Sequence, residues 1–419
     1  MWILTFLLDV RHFGSCFPVR RESAQNHLPM KLNHGLHLAY CTNVHRGETW
    51  LETFAALKSF TLRVRDRVSP NKPYAIGLRL SHTAAIELSE RAALLEFQRW
   101  LGQNHCYVFT INGFPYGQFH GGRVKEQVYL PDWTSAKRLE YTNLLFDLLA
   151  QLVPPDISGS VSTVPCGYKE LVTTPEEMQM IRANLWKCVE HVARISQQTG
   201  RKLHLGLEPE PLCVLETTGE VVHFFDRMRS EHRKDPRLTE ILGINYDTCH
   251  LAVEFEEPGN AIRCLQQHGI RISKLHLSSA LKVVPTAEAL RALAAFADDI
   301  YLHQVVIRNG DGNRTIYRDL KDLLTADRAP TEGEEWRIHF HIPLHSPPTG
   351  LFQNTSDHLL GVLDLLQADP SWCSHLEMET YTWEVLPAEL KSLDVVDQLA
   401  GEYQWTLAEL SQRGLASAS

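Results

Sequence analysis

The stretch GINYDTCHLA, residues 243–252, runs four mostly apolar residues straight into Asp247, with His250 three positions later. A buried strand that ends on an acid is costly unless something cationic receives the charge. Aspartate before a helix is also a common N-terminal cap, whose oxygen accepts backbone N–H groups. On this stretch alone both readings stand.

Outward from it, short apolar runs alternate with long amphipathic ones. Strands are expected at 35–40, 74–80, 107–112, 160–164, 202–208, 243–247, 272–278 and 375–381. Helices are expected between and after them, at 48–67, 83–101, 134–152, 175–199, 219–233, 258–268, 286–298, 356–367 and 387–411. Start signals such as TTPEE (173–177) and LPAEL (386–390) place proline near a first helical turn. Alternating β and α units predict a parallel sheet, and eight such units predict an α/β fold of the (β/α)8, or TIM, barrel type. The barrel is expected over residues 30–411, with 412–419 as a tail. Residues 1–29 read as an N-terminal extension outside the fold, because Met30 directly precedes the first periodic segment. Residues 300–350, with HFHIPLH at 339–345, read as an insertion over the barrel mouth between strands seven and eight. A nine-strand count with RIHFHI inside the barrel is the alternative.

Strand alternation gives the ionisable residues a direction. Leu203, Leu205 and Leu207 oppose His204, Gly206 and Glu208. Leu275 and Leu277 oppose Lys274, His276 and Ser278, and Leu376 and Met378 oppose Glu377 and Glu379. The apolar sets suit the layer beneath the helices, so the polar sets line the interior. The last inward residues are then Glu208, Asp247, His276 and Glu379, at the C-terminal rim where barrel active sites are built. Three carboxylates and an imidazole would repel without a cation, whereas a divalent metal (Mn, Mg, Co or Zn) makes them a coherent O/N site. Glu377 also points inward; Glu379 is preferred as a ligand for its place nearer the rim.

Composition excludes several classes. The 419 residues are 44% hydrophobic and 22% charged with a formal net charge of −9, so no basic field gathers nucleic-acid phosphates. Nine cysteines without a CxxC pair suit reduced thiols and a cytoplasmic location. No run approaches a transmembrane length.

LGLEPE, NYDTCH, KLHLS and EMETY resemble the metal-binding strand ends of xylose-isomerase-like barrels, a superfamily of sugar isomerases, epimerases and endonuclease IV. More narrowly, LAYCTNVHRGETW, TINGFPYG, STVPCGYKE and ETYTWEVLP resemble EboE-type metabolite-traffic proteins of bacterial gene clusters. The resemblance implies Glu208, Asp247, His276 and Glu379 as metal ligands, with Glu208 and Glu379 as the acid/base pair. His250 matches a further ligand of the nuclease branch, and His341 is the insertion residue best placed to add another. The third and fourth strand ends lack the histidines a three-metal nuclease needs. A metal-dependent isomerase or epimerase is therefore expected, acting on a small metabolite such as an isoprenoid or pigment precursor. A metal-anchored carrier is the alternative, and an endonuclease IV-like phosphodiesterase the less favoured one. Partner proteins from the same gene cluster would follow from the narrower resemblance. Arg79 and Lys169 are candidates to hold a substrate anion. Asn112, Tyr116 and Trp383, with Phe114, Tyr168 and Tyr381, are candidates for the cleft wall.

Overall fold

The computed structural model describes residues 32–417 apart from 71, 327, 349, 392 and 393. The expected extension over 1–29 lies outside the described residues. Seven strands appear in the first part of the chain: β1 (His37–Tyr40), β2 (Tyr74–Arg79), β3 (Cys106–Asn112), β4 (Gly159–Thr163), β5 (Leu203–Leu207), β6 (Leu242–Asp247) and β7 (Arg271–Leu277). Five further strands follow, β8 (Ala280–Val283), β9 (Val305–Arg308), β10 (Arg314–Tyr317), β11 (Glu335–His341) and β12 (Gln353–Asn354), before β13 (His375–Met378). Strands β1 to β7 and β13 form one parallel sheet in the order β2-β3-β4-β5-β6-β7-β13-β1. A parallel bridge between Cys41 and Gly77 joins its two ends. This is the expected (β/α)8 barrel, with β13 as its eighth strand.

Local signals account for the helices. Thr174 and Glu177 form a reciprocal capping box around Pro175, and the helix Pro175–Thr199 stops at Gly200, whose φ of +70° is the left-handed value glycine tolerates. The expected helix 83–101 breaks at Glu90, whose extended backbone (ψ 127°) separates His82–Ser89 from Arg91–Gln103. The expected helix 387–411 is also corrected. Ala388–Leu390 is an isolated 3-10 turn, and the long helix is Val395–Gln412, capped by Asp394. Nor does the chain leave the fold at 412, since Leu415 and Ala416 are buried and the Leu415 carbonyl accepts from Asn33 N at 2.9 Å.

The alternation holds in three dimensions. Leu203, Leu205, Leu207, Leu275, Leu277, Leu376 and Met378 all join the core under the helices. The barrel interior is correspondingly polar: Ser160 Oγ lies 2.8 Å from both Thr110 Oγ1 and His375 Nδ1, and Lys274 Nζ bonds Ser162 Oγ at 3.0 Å.

The insertion is wider than 300–350. Its strands form an antiparallel sheet in the order β10-β9-β11-β8-β12, spanning Ala280 to Asn354. RIHFHI belongs to this sheet through β11 and not to the barrel. The sheet has its own core, in which Leu281, Leu293, Phe296, Ile307, Trp336 and Phe340 are buried. Tyr301 and Leu302 within it line the same cleft as Glu208 and Glu379, so the insertion covers the C-terminal mouth.

Two predictions follow from packing. A Cβ at Gly77 would lie 2.0 Å from Glu377 Oε1 and 2.6 Å from the Tyr40 carbonyl oxygen, where the barrel closes. Gly77→Ala should therefore cost about 3 kcal/mol, the upper range of overpacking, and an unchanged melting temperature would contradict the close approach. Glu402 is fully buried on the last helix, with Oε2 unpartnered, and burial raises its pKa from 4.5 to about 7. Because the folded value is the higher one, its stabilising contribution is complete below 4.5 and is lost as pH rises through about 7. Glu402→Gln should thus resemble the parent in acid and exceed it by about 3 kcal/mol at about pH 8, measured by urea unfolding.

Candidate metal centre

Glu208 follows β5 directly, Asp247 ends β6, His276 sits on β7, and Glu379 follows β13. Asp247 pairs in register with His276, and His276 with Glu377, while Glu379 N donates to the Leu277 carbonyl at 3.1 Å. Adjacent strands thereby deliver the four expected residues, all buried, with one ligand atom from each within 4.8 Å of the others. Bonds of about 2.1 Å to one cation allow separations of about 4 Å, so only small adjustments gather the set.

The opening question has a double answer. Asp247 Oδ1 is a helix cap, accepting from Cys249 N at 2.7 Å, His250 N at 3.1 Å and Ser278 Oγ at 2.6 Å. Asp247 Oδ2 has no hydrogen-bond partner and lies 3.4 Å from His276 Nδ1. That same nitrogen is 2.8 Å from Glu208 Oε1 and 3.1 Å from Glu379 Oε2. Burial alone would lower the His276 pKa, but Glu379 and Glu208 beside it carry it well above the ordinary value. Burial pushes the Asp247 carboxyl upward, and His250 and His276 outweigh it, holding the group well below its usual range.

One proton on Nδ1 can bond to only one of the three surrounding carboxylates at full strength. The buried Glu208 Oε2, like Asp247 Oδ2, has no hydrogen-bond partner among the described residues. The donor set is thus anionic, oxygen-rich and under-satisfied, as a divalent cation requires.

Glu377 has a different task. It forms an ion pair with Lys274 and accepts from His276 Nε2–H at 2.8 Å. Burial raises its pKa, yet Lys274 and His276 bring it down to about 2. The anionic Glu377 fixes the imidazole ring with Nδ1 toward the other carboxylates, as metal-bound histidines are usually oriented. Glu379 is positioned separately: its Oε1 accepts from Asn43 Nδ2 at 2.8 Å and Asn112 Nδ2 at 3.0 Å.

Beside this set lies a histidine group. His250 Nδ1 donates to the Pro209 carbonyl at 3.0 Å, His339 Nδ1 to Gln304 Oε1 at 2.7 Å, and His341 Nδ1 to the Glu379 carbonyl at 2.8 Å. Each Nε2 is thereby turned away from these carbonyls, and those of His339 and His341 lie 3.3 Å apart. Asp247, His250 and His341 are close enough to share one ion, as are Glu210, His250 and His339. The Thr382 hydroxyl also donates to the His341 carbonyl, tying the insertion to the turn that follows the eighth barrel strand. His345 stands apart, against Gly401.

Of the candidate substrate contacts, Asn112, Phe114 and Tyr381 line the cleft. Arg79 does not serve as a free anion anchor, because it is buried and bonded to Glu48 and to the Gly47 and Gly117 carbonyls. Lys169 is likewise paired with Glu216 and Glu220, outside the cleft. Tyr116 stacks on His82 at 4.6 Å and Tyr168 on Tyr129 at 4.8 Å, while Trp383 lies under Lys391, so all three are packing groups. His339, expected on the insertion over the mouth, does line the cleft, whereas the alternation missed Asn43, Glu210, Phe119 and Tyr301. Of these, Glu210 carried a signal, since it follows Glu208 by two residues in LEPE.

Neither protein-family models nor curated proteins show a match to this chain. Among solved structures it is similar to an L-ribulose 3-epimerase (TM-score 0.48, 15% identity, 90% of this chain and 95% of that one). It is also similar to the IolI protein with a bound zinc atom (TM-score 0.45, 12% identity, 91% and 99%). A third is a xylose isomerase-like TIM barrel protein from Mycobacterium smegmatis in complex with magnesium (TM-score 0.45, 13% identity, 84% and 87%).

The Lys274–Glu377 pair is testable separately from any ligand. Lys274→Met leaves the buried Glu377 with His276 as its remaining partner and should cost about 3 kcal/mol. Adding Glu377→Gln should recover part of that loss in urea unfolding. A single variant as stable as its parent would show that the pair does not hold the interior together.

Proposed function

We propose that this chain is a metal-dependent isomerase or epimerase acting on a small hydroxy-carbonyl metabolite. Glu208, Asp247, His276 and Glu379 would hold a divalent cation, with His250 and His341 forming an adjoining nitrogen-rich position. The supporting observation is the convergence of three carboxylates on His276 Nδ1, with Asp247 Oδ2 and Glu208 Oε2 left unpartnered. A cation bound there would supply Lewis acidity to adjacent substrate oxygens.

The chain's own groups carry the proton chemistry. One of Glu208 and Glu379 takes the proton from the carbon between hydroxyl and carbonyl, and the electron pair moves onto the carbonyl oxygen. The other returns a proton to give the isomer or epimer. Asn43 and Asn112 bind Glu379 Oε1, which keeps Oε2 turned toward the centre. The insertion excludes bulk water from the mouth, strengthening charge interactions inside.

The resemblance of four sequence blocks to EboE-type proteins supports a role in metabolite processing or traffic, with a cytoplasmic setting and partners from one gene cluster. No described helix is long and apolar enough to cross a membrane. A carrier that holds its ligand without turnover would use the same cation, so the test separates the two. Metal analysis of the purified chain should find a bound divalent ion that falls about tenfold in Asp247→Ala and in His276→Ala. Unchanged content in both overturns the site. Deuterium exchange into hydroxyacetone, followed by NMR, should occur with the parent and stop in Glu208→Gln and Glu379→Gln; binding without exchange would favour the carrier.

A further inference from the structure

The cleft has two unlike ends. Its deep end carries Glu208, Glu210, Glu379 and His250, and its outer wall is made by Phe114, Phe119, Tyr129, Tyr301, Leu302 and Tyr381. The wall comes from three separate parts of the chain, and Phe119, Tyr301 and Tyr381 meet as a triangle of rings with centroids 5.2–5.3 Å apart. Two of the phenols are already bonded, Tyr129 to Glu210 at 2.7 Å and Tyr301 to His120 at 2.6 Å, so the wall offers ring surface more than hydroxyls.

The charges at the border matter as much. Lys125 is the sole lysine or arginine among the described lining residues, and its ammonium is bound to Asp319 and to the Asp298 carbonyl. A phosphate or carboxylate entering this cleft would be desolvated opposite buried acids, without a free lysine or arginine among the described lining residues to pair with it. The cavity itself is small, about 60 Å3, and it opens to solvent on one side.

We infer that the substrate is an uncharged hydroxy-carbonyl compound bearing a planar apolar arm, and that the arm lies against Phe119, Tyr301 and Tyr381. This rests on the hydroxy-carbonyl reading of the metal centre. The arm supplies binding surface away from the reacting carbon, where aromatic rings favour offset or edge-on contact.

Calorimetric titration of the full chain loaded with Mn2+ tests it, using three probes with a common hydroxyketone core: dihydroxyacetone, dihydroxyacetone phosphate and 1-hydroxy-1-phenylpropan-2-one. The phenyl compound should bind about tenfold or more tighter than dihydroxyacetone, and the phosphate no tighter than dihydroxyacetone. Phe119→Ala should remove the phenyl advantage, whereas Tyr301→Phe, which keeps the ring, should retain it. Leu302→Arg should raise phosphate affinity about tenfold by adding a free cation. Equal binding of the phenyl compound and dihydroxyacetone overturns the inference alone, as does a phosphate that binds tightest to the parent. Binding of none of the three overturns the hydroxy-carbonyl reading beneath it.

Discussion

The architecture depends on one imidazole nitrogen. His276 Nδ1 faces Glu208, Asp247 and Glu379 at 2.8–3.4 Å. Such a concentration of like charge in a buried site needs positive charge at its centre. Much around it follows from that need. Lys274 sits one layer below to neutralise Glu377, Glu377 turns the ring, and the Asp247 cap leaves one oxygen facing inward. An interior of polar side chains, instead of the branched aliphatic layers common in such barrels, is what carries this charge. The helices outside then pack on a layer rich in leucine, isoleucine and valine, with Tyr40, Tyr74, Tyr246 and Met378 among them.

The insertion changes what that centre can meet. A bare barrel would open its carboxylates to water, where they would be screened and their pull on a cation weakened. Here a second small core, built around Trp336 and Phe340, holds an antiparallel sheet at the mouth. His339 and His341 come from this sheet and not from a barrel strand, so the insertion adds two nitrogen donors to those of His276 and His250. The two histidines are pinned by carbonyls of Gln304 and Glu379, and Glu379 and Asp247 by amide N–H groups, which restricts the motion of both sets.

Much of this was legible in the sequence because a strand has a period of two. Once Leu203, Leu205 and Leu207 are assigned outward, Glu208 has only one place to point, and the same holds for His276. Parity could not separate Glu377 from Glu379, since both face inward; the position of Lys274 one layer down does so. Loops carry no such period, which is why Asn43 and Phe119 escaped notice. The failures at Arg79 and Lys169 have another cause. A sequence shows that a cation is present but not who answers it, and their partners Glu48 and Glu216 lie 31 and 47 residues away.

His341 bonds the main-chain carbonyl of Glu379, and Thr382 bonds the carbonyl of His341 in return. The sheet at the mouth and the segment just past the eighth barrel strand are therefore laced together beside the very carboxylate that faces His276. A displacement of β11 large enough to widen the entrance strains or breaks this lacing and frees the backbone of Glu379. Access and coordination are then not independent variables: the entrance is widest when the carboxylate is least constrained, and the carboxylate is best aimed when the entrance has narrowed.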